Sequence, residues 1–455
     1  MKHWIPVILA ALFISMSACD QDKKEKADEQ KKAKAESESE MKKDVMSAEL
    51  LWKLGRVNNV QLSPDGGHVL YGVTRYKLEE NSGQNDLFKL NLETEDVTRL
   101  TTTEEASESG ARWRPDGNKI GFLAPDENDD MQLWEMNPDG SDKRKISDIK
   151  NGIKGFEYAP DQTKVLYVKE VKLDKTANEV HEDLPKANAR IIDNLMYRHW
   201  DEWHDYRYSH VFFADYDGKI LRNHKDIMKG EKYDSPLNPW GGMEQITWNP
   251  NSDKIAYVCK KMSKKEYTLS TNSEIYLYDV KTEETKNLTK NGFEGYDRNP
   301  VYSPDGNYLA WESMEEDGFE SDKNRIMVMN LETEDVTNMS KDFDYNAQGF
   351  SWSKDGKKMY FISGVHATQQ IFELDVENNV INQITEGKHN YLNVNAAGDR
   401  LIGAKQSMAL PTEIFAVDME GKEKQLTHVN DEKLDKITLA HSEERWIETS
   451  DGKEM

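Results

Sequence analysis

This 455-residue chain has few cysteines, no surplus of basic residues and no long apolar run. Only Cys19 and Cys259 occur, which leaves no disulfide framework to stabilise a fold. The 84 acidic side chains outnumber the 60 basic ones, and the formal net charge of −24 argues against nucleic acid as a partner. An apolar run at residues 4–14 is too short for a comfortable membrane span. Packing must therefore supply the stability.

The first 46 residues have the composition of an export signal followed by a charged spacer. Lys2 and His3 precede the apolar run, and small residues lead to Cys19. This order resembles a bacterial lipobox, in which the cysteine is lipidated and becomes the mature N-terminus; an ordinary signal peptide with a chance cysteine is the alternative. We expect a lipoprotein signal at 1–19 and a charged tether at 20–46. The soluble part would then face the periplasm from a lipid anchor in the cell envelope.

One strand–turn–strand pattern recurs along the rest of the chain. Its first copy, V-Q-L-S-P-D-G-G-H-V-L-Y-G at 60–72, shows its parts: alternating apolar residues, a proline that presets φ, and an Asp-Gly that completes the turn. The other copies lie at 111–123, 156–168, 246–258, 300–312, 350–362 and 392–404, and the last of them is degenerate. Together with the first, they make seven repeats.

A second hairpin with a polar turn follows each copy, as in E-I-Y-L-Y-D-V-K-T-E-E-T-K-N-L-T at 274–289. Two hairpins make four antiparallel strands, which is one propeller blade. The wide gap between the third and fourth copies contains a single second hairpin, at 210–225, so we predict an insertion at about Lys172–Tyr208 rather than an eighth blade. The predicted fold is an all-β, seven-bladed β-propeller at 47–430, with four-stranded antiparallel blades and a partly helical insertion in blade three.

Three motifs stand apart from the repeats. They are L-M-Y-R-H-W-D-E-W at 195–203, with Tyr-Ser-His at 208–210; S-M-A-L-P-T-E-I at 407–414; and E-R-W-I-E-T-S-D-G at 444–452. All three resemble segments of prolyl oligopeptidase-family serine peptidases. The first resembles the R-H-W-D-x-W signature of that family, and the second resembles the Ser-x3-Pro-x-Glu-Leu step of its last blade. The third resembles the strand that opens its hydrolase domain. The branch is that of dipeptidyl peptidase V and acylaminoacyl-peptidase. The resemblance covers about residues 47 to 455.

The catalytic machinery of that family has no counterpart in the sequence. The family's serine lies on a G-x-S-x-G turn and works with Asp and His, and no G-x-S-x-G occurs in these 455 residues. We therefore assign no catalytic residue, and we expect residues 431–455 to be a linker and the interrupted start of a missing α/β-hydrolase domain. The resemblance implies the gating propeller of an exported peptidase that cleaves dipeptides or acylated residues from N-termini. A stand-alone TolB-like periplasmic propeller that binds a peptide or an envelope protein is the alternative.

Candidate site residues concentrate in the predicted insertion. Aromatic rings with interleaved arginine and aspartate can bind an apolar side chain and a charged end of a peptide. The candidates for substrate binding are Arg198, His199, Trp200, Asp201, Trp203, Tyr206 and Arg207. The alternative is that the tryptophans only pack the insertion onto the blades. The spacing of the histidines predicts no metal site, and the only partners we expect are short peptides and, through lipidated Cys19, a membrane.

The repeats also predict which unusual side chains are buried. Trp113, Trp248, Trp311 and Trp352 recur with the repeats, so we place them at one repeat position in the core. Cys259 lies within the strand I-A-Y-V-C, which indicates a buried and inert thiol. No cofactor is indicated by any of these patterns.

Overall fold

The computed structural model describes residues 45–103 and 106–455, which form two compact units. Residues 45–54 and 429–455 make up one unit, and Gly55–His428 make up the other. Cys19, the rest of the predicted signal peptide and nearly all of the tether lie outside the described residues. In the part of the chain that is described, no helix is long and apolar enough to cross a membrane.

The smaller unit contains short helices and a hairpin. One helix covers Ala48–Lys53 and begins after Ser47, whose Oγ accepts a hydrogen bond from Leu50 N at 3.2 Å. A second helix covers Asp431–Leu434. A hairpin forms over 447–455, where backbone hydrogen bonds of 2.7 to 3.0 Å join its two arms.

Among the described residues, the larger unit contains five sheets of four antiparallel strands. Sheet 1 comprises β1 (Arg56–Leu62), β2 (His68–Lys77), β3 (Ser82–Asn91) and β4 (Val97–Arg99), and sheet 2 comprises β5 (Ser109–Trp113), β6 (Ile120–Pro125), β7 (Met131–Met136) and β8 (Arg144–Lys145). Sheet 3 comprises β9 (Gly155–Tyr158), β10 (Lys164–Lys172), β13 (Arg207–Tyr216) and β14 (Leu221–Asp226), with β11 (Arg198–His199) and β12 (Glu202–Trp203) paired separately between β10 and β13. Sheet 4 comprises β15 (Ile246–Trp248), β16 (Lys254–Cys259), β17 (Glu274–Asp279) and β18 (Thr285–Asn287), and sheet 5 comprises β19 (Asp297–Tyr302), β20 (Tyr308–Ser313), β21 (Arg325–Asn330) and β22 (Val336–Asn338).

A nine-stranded sheet follows and contains two further sets of four antiparallel strands. The first set is β23 (Gln348–Trp352), β24 (Lys358–Val365), β25 (Thr368–Asp375) and β26 (Val380–Gln383); the second is β28 (Asn395–Ala397), β29 (Arg400–Gln406), β30 (Glu413–Asp418) and β31 (Glu423–Gln425). Strand β27 (Asn390–Tyr391) joins the two sets, because it pairs with β25 on one side and with β29 on the other. The prediction of an all-β fold with four-stranded antiparallel sheets is confirmed.

Short helices lie between some of these strands. They are the α-helices Ala177–Val180 and Lys264–Leu269 and the 3-10 turns Leu78–Glu80 and Met243–Gln245. The segment predicted as an insertion, between β10 and β13, therefore consists of one four-residue helix, the β11–β12 hairpin and irregular chain.

The Pro-Asp-Gly turns form as their residue types predict. In the first copy, Ser63 Oγ donates to Asp65 Oδ1 at 2.5 Å, and Gly67 N donates to the same oxygen at 3.0 Å. Gly66 has a φ of +74°, a left-handed conformation that glycine adopts without a steric penalty. Every such turn joins the first and second strands of its set, so these turns share one end of their sheets.

Neighbouring sheets pack face to face through buried apolar side chains. Leu166 and Val211 of sheet 3, for example, belong to one fully buried cluster with Ile255 and Tyr257 of sheet 4. Burial of each such side chain contributes about 1.5–3 kcal/mol. The first strands follow one another in space from sheet to sheet, and β28 of the last set lies against β1 of the first.

The tryptophans and the cysteine that were predicted to be buried lie in or against the core, but one tryptophan is on a different strand from the one predicted. Cys259 is fully buried, Trp248, Trp311 and Trp352 are buried, and Trp113 is half-buried. Burial raises the pKa of the Cys259 thiol far above its ordinary value, which keeps the thiol protonated and unreactive. Trp311, however, lies on the second strand of its sheet, whereas the other tryptophans lie on first strands. In this repeat, aromatic residues occur on both the first and the second strand, so the sequence pattern alone did not show which strand carries the tryptophan.

Candidate functional site

The insertion lies at the end of sheet 3 that is opposite to the Pro-Asp-Gly turns. Strands β9 and β10 are joined by the corresponding turn of their repeat, Pro160-Asp161-Gln162, so the next connection, between β10 and β13, leaves from the other end. The insertion's β11–β12 hairpin pairs Arg198 with Trp203 and His199 with Glu202. This pairing places Trp200 and Asp201 at the exposed tip of the hairpin.

Two guanidinium groups lie close to the Trp203 ring. The carbon of the Arg190 guanidinium is 4.4 Å from the centre of the Trp203 ring, and that of Arg198 is 5.7 Å away. Arg190 also donates two hydrogen bonds to Asp205, at 2.8 and 3.0 Å, and these bonds hold the pKa of the Asp205 carboxyl below its ordinary value. The Tyr197 ring lies 6.1 Å from that of Trp203. Arginine and aromatic groups therefore lie next to one another on this surface.

Trp200 forms an edge-to-face pair with Trp240, with ring centroids 5.5 Å apart. The two residues are 72% and 71% exposed, so each ring offers most of its surface to solvent. Arg198 stabilises the tip of the hairpin, because its Nε donates a hydrogen bond to the carbonyl oxygen of Trp200. The pair is an open aromatic surface of the kind that binds apolar side chains.

Trp240 is a site residue that the sequence analysis missed. It lies in the connection between β14 and β15, in the stretch P-L-N-P-W-G-G at 236–242. A tryptophan in a segment rich in proline and glycine has little chance of packing in a regular sheet, and that signal could have identified it. Nothing in the sequence, however, indicates that this tryptophan would lie against Trp200.

Strand β13 fixes the loop that carries Trp240. Ser209 N donates to Asp234 Oδ1 at 2.7 Å, and Ser235 N donates to Ser209 O at 2.8 Å. Asn238 Nδ2 donates to the same Asp234 oxygen at 2.8 Å. Asp234 is buried, so these hydrogen bonds are shielded from water. The loop is thereby attached to the strand that leaves the insertion.

His210, next on β13, makes a second attachment. Its Nδ1 lies 3.0 Å from Asp226 Oδ2, and its Nε2 lies 2.8 Å from the carbonyl oxygen of Glu231. The imidazole is fully buried between these two oxygens. The Tyr-Ser-His motif at 208–210 is therefore a structural support for the site, and its histidine faces away from any ligand on the exposed surface.

Tyr206 and Arg207 lie at the neck of the insertion, apart from its exposed tip. The carbonyl oxygen of Tyr206 accepts hydrogen bonds from Leu173 N and Asp174 N at 3.1 and 3.2 Å, which closes the segment. Arg207 Nη1 lies 3.7 Å from Glu170 Oε2. Of the predicted site residues, the structure thus brings Arg198, His199, Trp200, Asp201 and Trp203 together on one hairpin and leaves the other two in the neck.

Asp174 ties the neck to the neighbouring loop. Tyr208 Oη donates to Asp174 Oδ2 at 2.7 Å, and Lys232 Nζ lies 2.5 Å from Asp174 Oδ1. Burial by itself would raise the pKa of this carboxyl, but the bonds from Lys232 and Tyr208 lower it below the ordinary value. The site has the properties of a binding surface, with a fixed base and an open aromatic tip. Within 45–103 and 106–455, no group of His, Cys, Asp and Glu is arranged to bind a metal ion.

Known proteins with similar sequences include peptidases. The chain is 38% identical over 411 residues to dipeptidyl-peptidase 5 of Porphyromonas gingivalis, an alignment that takes in 90% of this chain and 60% of that protein. It is 35% identical over 412 residues to dipeptidyl-peptidase 5 of Porphyromonas endodontalis, with 90% of this chain and 59% of that protein covered. The chain thus spans about three fifths of the length of these relatives.

Solved structures with similar folds also include peptidases. An acylaminoacyl peptidase in complex with Z-Gly-Gly-Phe-chloromethyl ketone superposes with a TM-score of 0.66 at 20% identity, over 85% of this chain and 55% of that one. The β-propeller domain of the Trilobed protease from Pyrococcus furiosus superposes with a TM-score of 0.55 at 19% identity, over 83% of this chain and 97% of that one. These likenesses establish the propeller fold.

A match to a protein-family model identifies the family of this chain. The model of the TolB β-propeller domain matches residues 197–438, which is 242 of the 455 residues. This range includes the β11–β12 hairpin and every strand from β13 onward. The chain therefore belongs to the TolB β-propeller domain family, and its homologues are dipeptidyl-peptidases 5.

Proposed function

We propose that this chain is the propeller portion of an exported serine peptidase that removes dipeptides or acylated residues from the N-termini of short peptides. The observation that carries the proposal is the 38% identity to a dipeptidyl-peptidase 5 over 90% of the chain. In this proposal, acyl transfer belongs to a hydrolase domain, and the propeller controls which peptides reach it. Export relies on the apolar segment at 4–14 and a lipid on Cys19.

We further propose that the seven sets of four strands are seven blades around one axis. The support is that the first strands contact one another in chain order and that β28 contacts β1. A closed ring leaves an axial passage between the first strands. Such a passage is narrow enough to exclude folded proteins, and it would admit peptides.

Within this function, the tip of the insertion binds the N-terminal part of the substrate. Trp200 and Trp240 supply apolar surface, and exposed Asp201 supplies a negative charge for an α-ammonium group. Arg198 and Trp203 stiffen the hairpin on which these groups lie. Because the hairpin is attached to β13 at its neck, the tip is positioned before a peptide arrives.

Calorimetric titration with short peptides tests the proposal. We expect a C-terminally amidated tripeptide with a free α-amine and an apolar first residue to bind, and its N-acetylated form to bind at least five times more weakly, because acetylation removes the positive charge. The double variant Trp200→Ala/Trp240→Ala should weaken binding of the free-amine peptide about tenfold, since each tryptophan loses a hot-spot contact. The measured quantity is Kd.

The control is Trp446→Ala, which removes an exposed tryptophan of the smaller unit. It should leave Kd unchanged. If neither peptide binds the chain, the proposal is wrong. Tight binding of a folded envelope protein, with no binding of tripeptides, would instead support a stand-alone TolB-like propeller, which the match to the TolB family model favours as the second candidate.

A further inference from the structure

Seven side chains occupy one register position on the first strands. The position is defined by its pairing: it lies opposite the third residue after the turn, on the second strand of the same sheet. Arg112 of β5 is at this position, where it pairs with Gly121, and so is Glu157 of β9, which pairs with Leu166. The other five first strands have the same register, and there the position is taken by Gln61, Thr247, Val301, Ser351 and Asn395. All seven residues are half-buried, so solvent reaches each of them.

Contacts between neighbouring sheets show that some of these side chains face the next sheet. Glu157 accepts hydrogen bonds from Thr247 Oγ1 at 3.3 Å and from Trp248 N at 3.2 Å, although these residues belong to the next sheet. In the same way, Ser351 Oγ accepts a hydrogen bond from Ala396 N of the following set at 3.1 Å. The register position is therefore a ring of facing side chains near the Pro-Asp-Gly end of the sheets.

Arg112 is the positively charged residue of this ring, and its side-chain N–H groups have no hydrogen-bond acceptor among the described residues. Its Nη1 lies 4.0 Å from Glu157 Oε2, which is an ion pair but too long for a hydrogen bond. Within the described chain its guanidinium donates no hydrogen bond, while its side chain is only 29% exposed. A guanidinium has five N–H donors in a planar fork that fits a carboxylate.

Glu157 positions Arg112 without neutralising its donors. Its Oε1 accepts the hydrogen bonds from Thr247 and Trp248, and its Oε2 lies 4.0 Å from Arg112 Nη1. Burial raises the pKa of Glu157, and the charge of Arg112 opposes that change. The other five ring positions carry no charge, so Arg112 and Glu157 are the two charged residues at this register position, and an incoming anion would be attracted by the first and repelled by the second.

We propose that Arg112 binds the C-terminal carboxylate of short peptides within the ring of first strands. The inference rests on the proposed function, because it takes short peptides to be the ligands, and it adds that a free C-terminus is recognised. A carboxylate can accept two parallel hydrogen bonds from the Arg112 fork while the peptide backbone lies among the neutral groups of the ring. The preferred ligand class is therefore peptides with a free carboxyl end.

Binding of Ala-Ala and of its C-terminal amide by the 455-residue chain tests this proposal. We expect the free acid to bind about tenfold more tightly than the amide, which corresponds to one charge-assisted hydrogen-bonded pair. Arg112→Gln should abolish this difference and leave the Kd of the amide unchanged. Arg222→Gln removes an equal charge from an exposed position on β14, and it should preserve the tenfold preference.

Glu157→Gln provides an independent readout in case Arg112→Gln does not fold. The glutamine oxygen can keep the bonds from Thr247 and Trp248, and the competing negative charge is gone, so the free acid should bind three- to tenfold more tightly with no change for the amide. Equal binding of acid and amide, or a preference that survives Arg112→Gln, would overturn this inference while peptide binding itself stands. Binding of neither form would contradict both this inference and the proposed function.

Discussion

Asp297, at the start of β19, is a single carboxyl group that makes stability depend on pH. It is 2% exposed, and Trp311 Nε1 donates to its Oδ1 at 2.9 Å. Burial raises its pKa from 3.8 to about 6, although the hydrogen bonds it accepts oppose the change. The folded chain therefore binds this proton at a pH where the unfolded chain has lost it.

Asp297→Asn is expected to remove that dependence. Because the pKa in the folded state lies above that in the unfolded state, the favourable contribution is complete below pH 4 and is lost as the pH rises through 6. A difference of about two pKa units corresponds to about 3 kcal/mol. The unfolding free energy of the variant relative to the original chain should rise by about 2–3 kcal/mol between pH 4 and pH 7.5, as measured by urea denaturation.

Asp279→Asn is the matched control, because this half-buried carboxylate has a lowered pKa. The N–H groups of Thr282 and Lys281 donate hydrogen bonds to it and stabilise its charged form. Its contribution is present above the ordinary pKa of 3.8 and is lost only as the pH falls below that value, so between pH 4 and pH 7.5 the relative stability of this control should stay nearly constant. A relative stability of Asp297→Asn that does not change with pH would show that Asp297 is already ionised in the fold.

At the scale of elements, the loop between β14 and β15 depends on one buried carboxylate. Asp234 accepts hydrogen bonds from Ser209 N and Asn238 Nδ2, and no regular sheet pairing supports the loop. Removal of this acceptor leaves a buried N–H without a partner, which costs about 1–3 kcal/mol. The position of Trp240 should therefore be lost before the sheets are affected.

Asp234→Ala is expected to open this loop locally. Amide hydrogen exchange of residues 230–242 should become at least tenfold faster, while exchange in β16 and β17 should not change. Asp217→Ala, in the exposed turn between β13 and β14, should have no such effect on the loop. Equal acceleration in the loop and in sheet 4 would mean that Asp234 stabilises the whole fold rather than the site.

The sheets could be predicted from the sequence because their pattern is regular. Alternating apolar residues and turn residues with fixed φ preferences determine a strand pair in each repeat. In the last repeat the turn is two residues shorter, so Asn395 lies in the strand, at the register position of Ser351. Periodicity alone does not reveal such a deletion.

The site could be predicted only in part, because irregular segments create it. The residue types of the hairpin at 198–203 indicated a binding surface, and the structure places five of the seven candidates there. The pairing of Trp200 with Trp240 depends on two loops that meet through Asp234, and neither loop has a periodic pattern. The ring position of Arg112 became visible only when the registers of all first strands were known.

At the scale of the whole molecule, the fold separates two regions at opposite ends of the sheets. The insertion and the Trp240 loop lie at one end, and the ring of Arg112 and Glu157 lies toward the Pro-Asp-Gly turns at the other. A short peptide has two chemically distinct ends, an ammonium and a carboxylate. The proposed function assigns recognition of the ammonium end to the tip of the insertion, and the further inference assigns the carboxylate to Arg112.

The most direct test of the central claim is to place this propeller in a working peptidase. This chain would replace the aligned 60% of Porphyromonas gingivalis dipeptidyl-peptidase 5, and release of a dipeptide from a chromogenic substrate would be measured, with a serine-directed titrant to count folded active sites. We predict that the chimera cleaves the substrate and that Trp200→Ala/Trp240→Ala lowers kcat/KM about tenfold per titrated site. A chimera with full titration whose kcat/KM is unchanged by the double variant would contradict the claim that this propeller selects the substrate.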